Sequence, residues 1–91
     1  MTLDPQARAE FLASYPAWEL VGETISRTFA FRDFSEAIGF VTRVAMLAEV
    51  ADHHPDIDIR WNKVALTLST HDAGGLTAKD FALAAKCDSL V

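Results

Sequence analysis

The feature that most constrains this chain is the alternation between Ile57 and Ser69. Ile57, Ile59 and Trp61 alternate with Asp58, Arg60 and Asn62, and Val64, Leu66 and Leu68 alternate with Ala65, Thr67 and Ser69. A period of two marks half-buried strands. Asn62-Lys63 between the runs predicts a tight antiparallel hairpin, because Asn tolerates positive φ. One face of that hairpin is apolar and has to be covered by something else. A second alternating run, Thr24 to Phe31, puts Ile25, Phe29 and Phe31 on one face and Thr24, Ser26 and Thr28 on the other. Gly22-Glu23 offers a turn before it, so Trp18–Val21 and Thr24–Phe31 are expected to form a second hairpin.

Helices supply the cover. Asp4-Pro5 reads as an N-cap followed by proline at the first helical position, opening a short helix to about Ala13 that stops before Pro16. Asp33-Phe34-Ser35-Glu36 resembles a capping box and opens an amphipathic helix to about Asp52. Its apolar stripe is Phe34, Ala37, Ile38, Val41, Val44, Ala45, Ala48 and Ala51. A second stripe, Phe40, Leu47 and Val50, is expected to meet another helix or another subunit. Thr77, with Asp80 three residues on, opens a last helix after Gly74-Gly75. The order is helix, two strands, helix, two strands, helix. This predicts a two-layer α+β fold with a four-stranded antiparallel sheet and three helices packed on one face. With 91 residues, the expectation is a single domain over 1–91. A chain of this length buries only ~60–65% of its unfolded surface and gains from oligomerisation.

Composition narrows the function classes. Hydrophobic residues make up 51% and charged residues 23%, too apolar for a disordered chain. The lone cysteine, Cys87, rules out a disulfide framework and a cysteine-built zinc site, and reads as a small buried residue. No apolar run approaches the ~18–20 residues of a membrane span, and Met1 to Glu10 has no apolar core of a signal peptide. The net charge of −5 disfavours direct nucleic-acid binding. The expected setting is cytoplasmic and reducing.

All three histidines lie between positions 53 and 71. Glu49 precedes His53 by four residues, so its carboxylate reaches the imidazole if the helix continues that far. Asp52 adds a second carboxylate. A carboxylate beside an imidazole fixes its tautomer and favours its charged form. Pro55 points to the helix ending near His54. His71 is placed at the end of the last strand, in Ser69-Thr70-His71-Asp72, before Gly74-Gly75. Three histidines could form a catalytic zinc site. However, adjacent histidines rarely bind one metal from a helix end, and no His-x-x-x-His pair is present. Carboxylate-supported imidazoles suit proton transfer without metal. Other groups are bland: Arg43 reads as an exposed helix arginine. Asp80 reads as a cap, with a reach to the pocket implied only by the family analogy below.

The stretches Asp33–Ala45, Ala48–Pro55, Trp61–Val64 and Leu66–His71 together resemble the pterin-4a-carbinolamine dehydratase family. The signature is an acidic residue, three residues, His-His-Pro, an aromatic six residues later, then Thr-His. The resemblance implies a hydro-lyase that dehydrates 4a-hydroxytetrahydropterin to quinonoid dihydropterin in tetrahydrobiopterin recycling. The pterin is then the substrate, with no cofactor and no metal. It implies catalytic roles for His53, His54 and His71. It also implies pterin contacts at Glu49, Asp52, Pro55, Thr70 and Asp72. Trp61 stands where tyrosine is common, and Asp72 where glutamate is common. The family forms homodimers and homotetramers. Some members are non-catalytic binding modules: a transcription-factor dimerisation cofactor, and assembly factors for a carbon-fixing enzyme that tend to lack the full histidine set. The three histidines here favour catalysis.

Overall fold

The two hairpins merge into one sheet because their apolar faces are parts of one surface. In the computed structural model, which describes residues 2–91, β1 (Glu19–Val21) pairs antiparallel with β2 (Thr24–Ala30) across a turn where Gly22 takes φ +59°. A left-handed backbone is open to glycine without steric cost. β3 (Asp56–Arg60) pairs with β4 (Lys63–Leu68), and β2 joins β4, giving the antiparallel order β1-β2-β4-β3. Ile25, Phe29, Val64, Leu66 and Leu68 are all buried on one face. The opposite face carries small polar residues, with the Ser26 and Thr67 hydroxyls 3.3 Å apart.

Three helices cover the apolar face. α1 (Pro5–Ser14) is capped by the Asp4 carboxylate, which accepts from the Ala7 N–H at 2.8 Å. α2 (Phe34–Ala51) is capped by Asp33, which accepts from the Glu36 N–H. The Glu36 side chain reaches back one residue beyond the cap, to the Arg32 N–H. α3 (Ala78–Asp88) starts at Thr77 with a capping box completed by Asp80. Phe11 of α1 stacks on Phe81 of α3 with ring centroids 4.1 Å apart. Phe40 of α2 lies against Phe29 and Phe31. Its complete burial contributes ~1.5–3 kcal/mol.

Several sequence expectations are corrected. The β3–β4 turn is Trp61-Asn62 rather than Asn62-Lys63, since Arg60 pairs with Lys63, and it is Trp61 that takes positive φ, at 51°. Asn62 instead ties the turn to β2, donating from its side chain to the Phe31 carbonyl and accepting the Phe31 N–H at its own carbonyl. Phe40 packs into the core against Phe29 and Phe31 rather than joining Leu47 and Val50 toward another helix or subunit, whereas Phe34 and Ala45 are exposed. Val50 and Met46 are the most exposed large apolar residues of α2, at 85% and 65% exposure. His71 does not end a strand. It opens a one-turn 3-10 helix, His71–Ala73, after β4.

Candidate active site

The site begins where α2 stops. Asp52 takes a left-handed conformation (φ 49°), its N–H bonds to the Glu49 carbonyl, and the His53 N–H bonds to the Ala48 carbonyl at 3.1 Å. This is a Schellman reversal with Asp in the position glycine usually fills. Asp is among the few side chains that tolerate it. The reversal takes His53 off the helix, so its expected i,i+4 pairing with Glu49 does not form. Glu49 meets His54 instead, Oε1 to Nε2 at 2.7 Å, on the exposed surface. Pro55 then holds the chain extended into β3.

His53 turns toward α3. Its Nε2 lies 2.5 Å from Asp80 Oδ1. Asp80 is fully buried, and its Oδ2 accepts from the Thr70 hydroxyl at 2.8 Å and the Thr77 N–H at 2.9 Å. An ionised carboxylate only accepts, so Nε2 carries the proton of the His53 ring. Nδ1 has no protein partner, and no buried side-chain nitrogen or oxygen among the described residues lacks one. Nδ1 is therefore reached by solvent. A buried carboxylate without a partner is costly. Here three donors satisfy it, and one of them is an ionisable ring. Asp80 thus serves both the cap and the histidine.

His71 comes from the other side. Thr70 and Gly75 exchange two backbone hydrogen bonds, of 3.1 and 3.3 Å, which close the turn 71–74 into a tight loop. Gly74 takes φ 77° to complete it. Asp52, His53, His54, Ser69, Thr70, His71, Asp72 and Lys79 line one cavity of about 260 Å³. That is just below the ~300–1,000 Å³ typical of small-molecule sites, room for one small heterocycle.

The cavity brings together all three histidines with Asp52, Thr70 and Asp72. Glu49 and Pro55 do not line it. The residues missing from the sequence reading are Ser69 and Lys79, which no spacing signal marks. Asp80 was read mainly as a cap, and its hold on His53 spans 27 positions. Among the described residues, no group of three or more His, Cys, Asp or Glu side chains is arranged to hold a metal ion. No helix among them is long and apolar enough to cross a membrane.

Residues 1–90 match the family model described as "Pterin 4 alpha carbinolamine dehydratase". The chain belongs to this family. A protein of Chloroflexus aurantiacus, provisionally named as a pterin-4-alpha-carbinolamine dehydratase, is 61% identical over 83 residues, covering 91% of this chain and 89% of its own. One of Acidobacterium capsulatum under the same provisional name is 55% identical, covering 98% and 97%. Among solved structures, a transcriptional coactivator/pterin dehydratase from Brucella melitensis superposes with TM-score 0.94 at 37% identity, covering 99% of this chain and 98% of that one. A pterin dehydratase-like protein identified as a RuBisCO assembly factor in the alpha-carboxysome superposes with TM-score 0.69 at 27% identity, covering 81% and 88%.

Proposed function

We propose that this family member dehydrates a 4a-hydroxytetrahydropterin to the quinonoid dihydropterin, with the pterin as substrate and no metal or further cofactor. The observation that carries this reading is the convergence of His53, His54 and His71 on one cavity, with His53 held by the buried Asp80. In the reaction the bond from C4a to its hydroxyl breaks, and the oxygen leaves as water after gaining a proton. N5 loses its proton, and its electron pair forms the N5=C4a double bond. One imidazole gives a proton and another takes one, each worth typically ~10²–10⁴-fold in rate. His53 and His71 form this pair, and His54 orients the ring. Asp52, Thr70 and Asp72 offer polar contacts to the pterin edge.

The test is turnover of enzymatically generated 4a-hydroxytetrahydropterin. The wild type accelerates loss of the hydroxyl over the buffer rate, chelation leaves the rate unchanged, and His53→Ala/His71→Ala abolishes the acceleration. His54→Ala raises KM more than it lowers kcat. Full activity in the double variant sinks the assignment.

A second reading, a protein-binding module, draws support from the assembly-factor relative, which is less similar in both sequence and fold than the relatives under the dehydratase name. No acceleration by the wild type would favour it. The same surface suits a homodimer or homotetramer. Met46 and Val50 of α2, Ile57 and Ile59 along the edge strand, and Trp61 in the turn after it, remain exposed. Val50→Glu is expected to lower the size-exclusion mass if α2 is that interface. A full-length oligomer that ignores the change places the interface elsewhere.

A further inference from the structure

The loop carrying His71 is gripped from behind by a residue outside the cavity. Glu23 sits in the β1–β2 turn. Its backbone carbonyl accepts the Ser69 hydroxyl at 2.9 Å, where the loop begins. Its carboxylate lies against Gly75 and Leu76, where the loop ends. A Cβ on Gly75 would stand 2.0 Å from Glu23 Oε1, so the carboxylate fills the space a side chain would need. The Arg8 guanidinium aims that carboxylate through two parallel bonds, Nη1 to Oε2 at 2.9 Å and Nη2 to Oε1 at 2.8 Å. Such a fork fixes orientation as well as charge. Arg8 is itself held, its Nε donating to the Leu3 carbonyl, and the Leu3 N–H donates to the Leu76 carbonyl. Hydrogen bonding to Arg8 holds the Glu23 carboxyl below the usual carboxylate range, and the Leu76 backbone amide adds to this. The clamp is therefore charged at neutral pH.

We infer that Glu23, oriented by Arg8, is a positioning residue that fixes the 69–76 loop and so the placement of His71 in the cavity. The inference rests on the reading of His71 as a proton-transfer group. A half-exposed ion pair contributes little to global stability. Holding a reacting group in place is different: a 1 Å misplacement can cost ~10²-fold in rate.

The test compares Glu23→Ala, Gly75→Ala, Glu23→Gln and the swap Arg8→Glu/Glu23→Arg with the wild type. Turnover, Tm, amide exchange and the imidazole NMR signals are read on each. Glu23→Ala is expected to lower kcat about tenfold with little change in KM. Exchange at Ala73 and Gly74 quickens, while Leu66 and Leu68 in β4 stay protected. The His71 signals shift and those of His54 do not. Gly75→Ala, which displaces the carboxylate sterically, behaves alike and stands in should Glu23→Ala fail to fold. Glu23→Gln keeps an acceptor for the loop amide and regains most of the rate. The swap restores the ion pair and Tm but presents donors to the loop amides, so kcat stays low. Unchanged kcat and exchange in Glu23→Ala and Gly75→Ala, or full recovery by the swap, overturns the inference. If the wild type does not turn the pterin over, the dehydratase reading fails, and exchange and the His71 signals still decide whether the clamp positions the loop.

Discussion

α3 carries an aspartate near each end, and the two are used differently. Asp80, in the first turn, lies where the helix N-terminus favours a negative charge. Asp88, the last residue, lies where the helix disfavours one. Asp88 Oδ1 is compensated by Arg27 Nη1 at 2.7 Å and Trp18 Nε1 at 2.9 Å. The Arg27 guanidinium also stacks 4.2 Å over Phe29. Neither Arg nor Trp gives up its proton in the working range, so that end is a fixed brace. Asp80 faces His53, whose second nitrogen is open to solvent. The same side chain on the same helix braces the fold at one end and holds an imidazole at the cavity wall at the other. On the proposed reading, the chemistry lies beside the aspartate whose partner is an imidazole rather than a guanidinium.

The largest effect that can break this contrast is the rate of Asp80→Asn against that of Asp88→Asn. An Asn at 80 offers one acceptor oxygen and an NH₂ group. Thr70 and Thr77 require acceptors. The NH₂ therefore turns to His53 Nε2, which must accept, and the ring proton moves to Nδ1. The nitrogen open to solvent changes from acceptor to donor. A kcat loss of ~10²–10⁴-fold is expected, with the fold retained by circular dichroism. Asp88→Asn should leave kcat unchanged. Equal rate losses in the two variants would falsify the division of labour.

Stability is expected to rank the other way, with a smaller effect. Asp88→Asn weakens a partly buried, charge-assisted contact that joins α3 to β2 and to the residue before β1. Losses of ~1–3 kcal/mol are usual for such contacts, and each kcal/mol shifts Tm by ~4–8 °C in a domain this small. Asp80→Asn keeps the cap bonds to Thr77 and Thr70 and is expected to shift Tm less. A thermal melt of the two variants side by side decides this.

The elements were legible in the sequence because each is set locally. Asp4, Asp33 and Thr77 cap the three helices as read, and alternation exposes both hairpins. The turn was misplaced for a physical reason. Pairing Ile59 with Val64, as observed, or with Leu66, as an Asn62-Lys63 turn requires, keeps every apolar side chain on the same face. A slip of two residues is invisible to a period of two. The bonds between Asn62 and Phe31 decide it, 31 positions apart. The histidine cluster was legible by composition, but the partner of His53 was not. Spacing favours Glu49 only on a continuing helix, and the left-handed Asp52 ends it. That Phe40 faces the sheet was missed because two adjacent stripes on one helix look alike until the sheet they face is known.

The smallest effect probes the buried thiol beside Asp88. Burial pushes the Cys87 thiol up to about 11, with the neighbouring Asp88 charge adding to it. A thiol in the unfolded chain ionises nearer 9.0. Between these values the folded protein keeps a proton that the unfolded chain has lost. The stability tied to the protonated thiol is therefore complete below the unfolded value and drains away as pH rises toward the folded one. Urea midpoints of wild type and Cys87→Ala, measured from pH 8 upward, isolate this slope, because the two chains differ only at the thiol. The wild-type midpoint should fall more steeply than that of the variant, and the thiol should resist alkylation at pH 8 while folded. Parallel slopes with ready alkylation would mean that water reaches Cys87 in the folded protein, and the contrast between the two aspartates would then rest on partner chemistry alone.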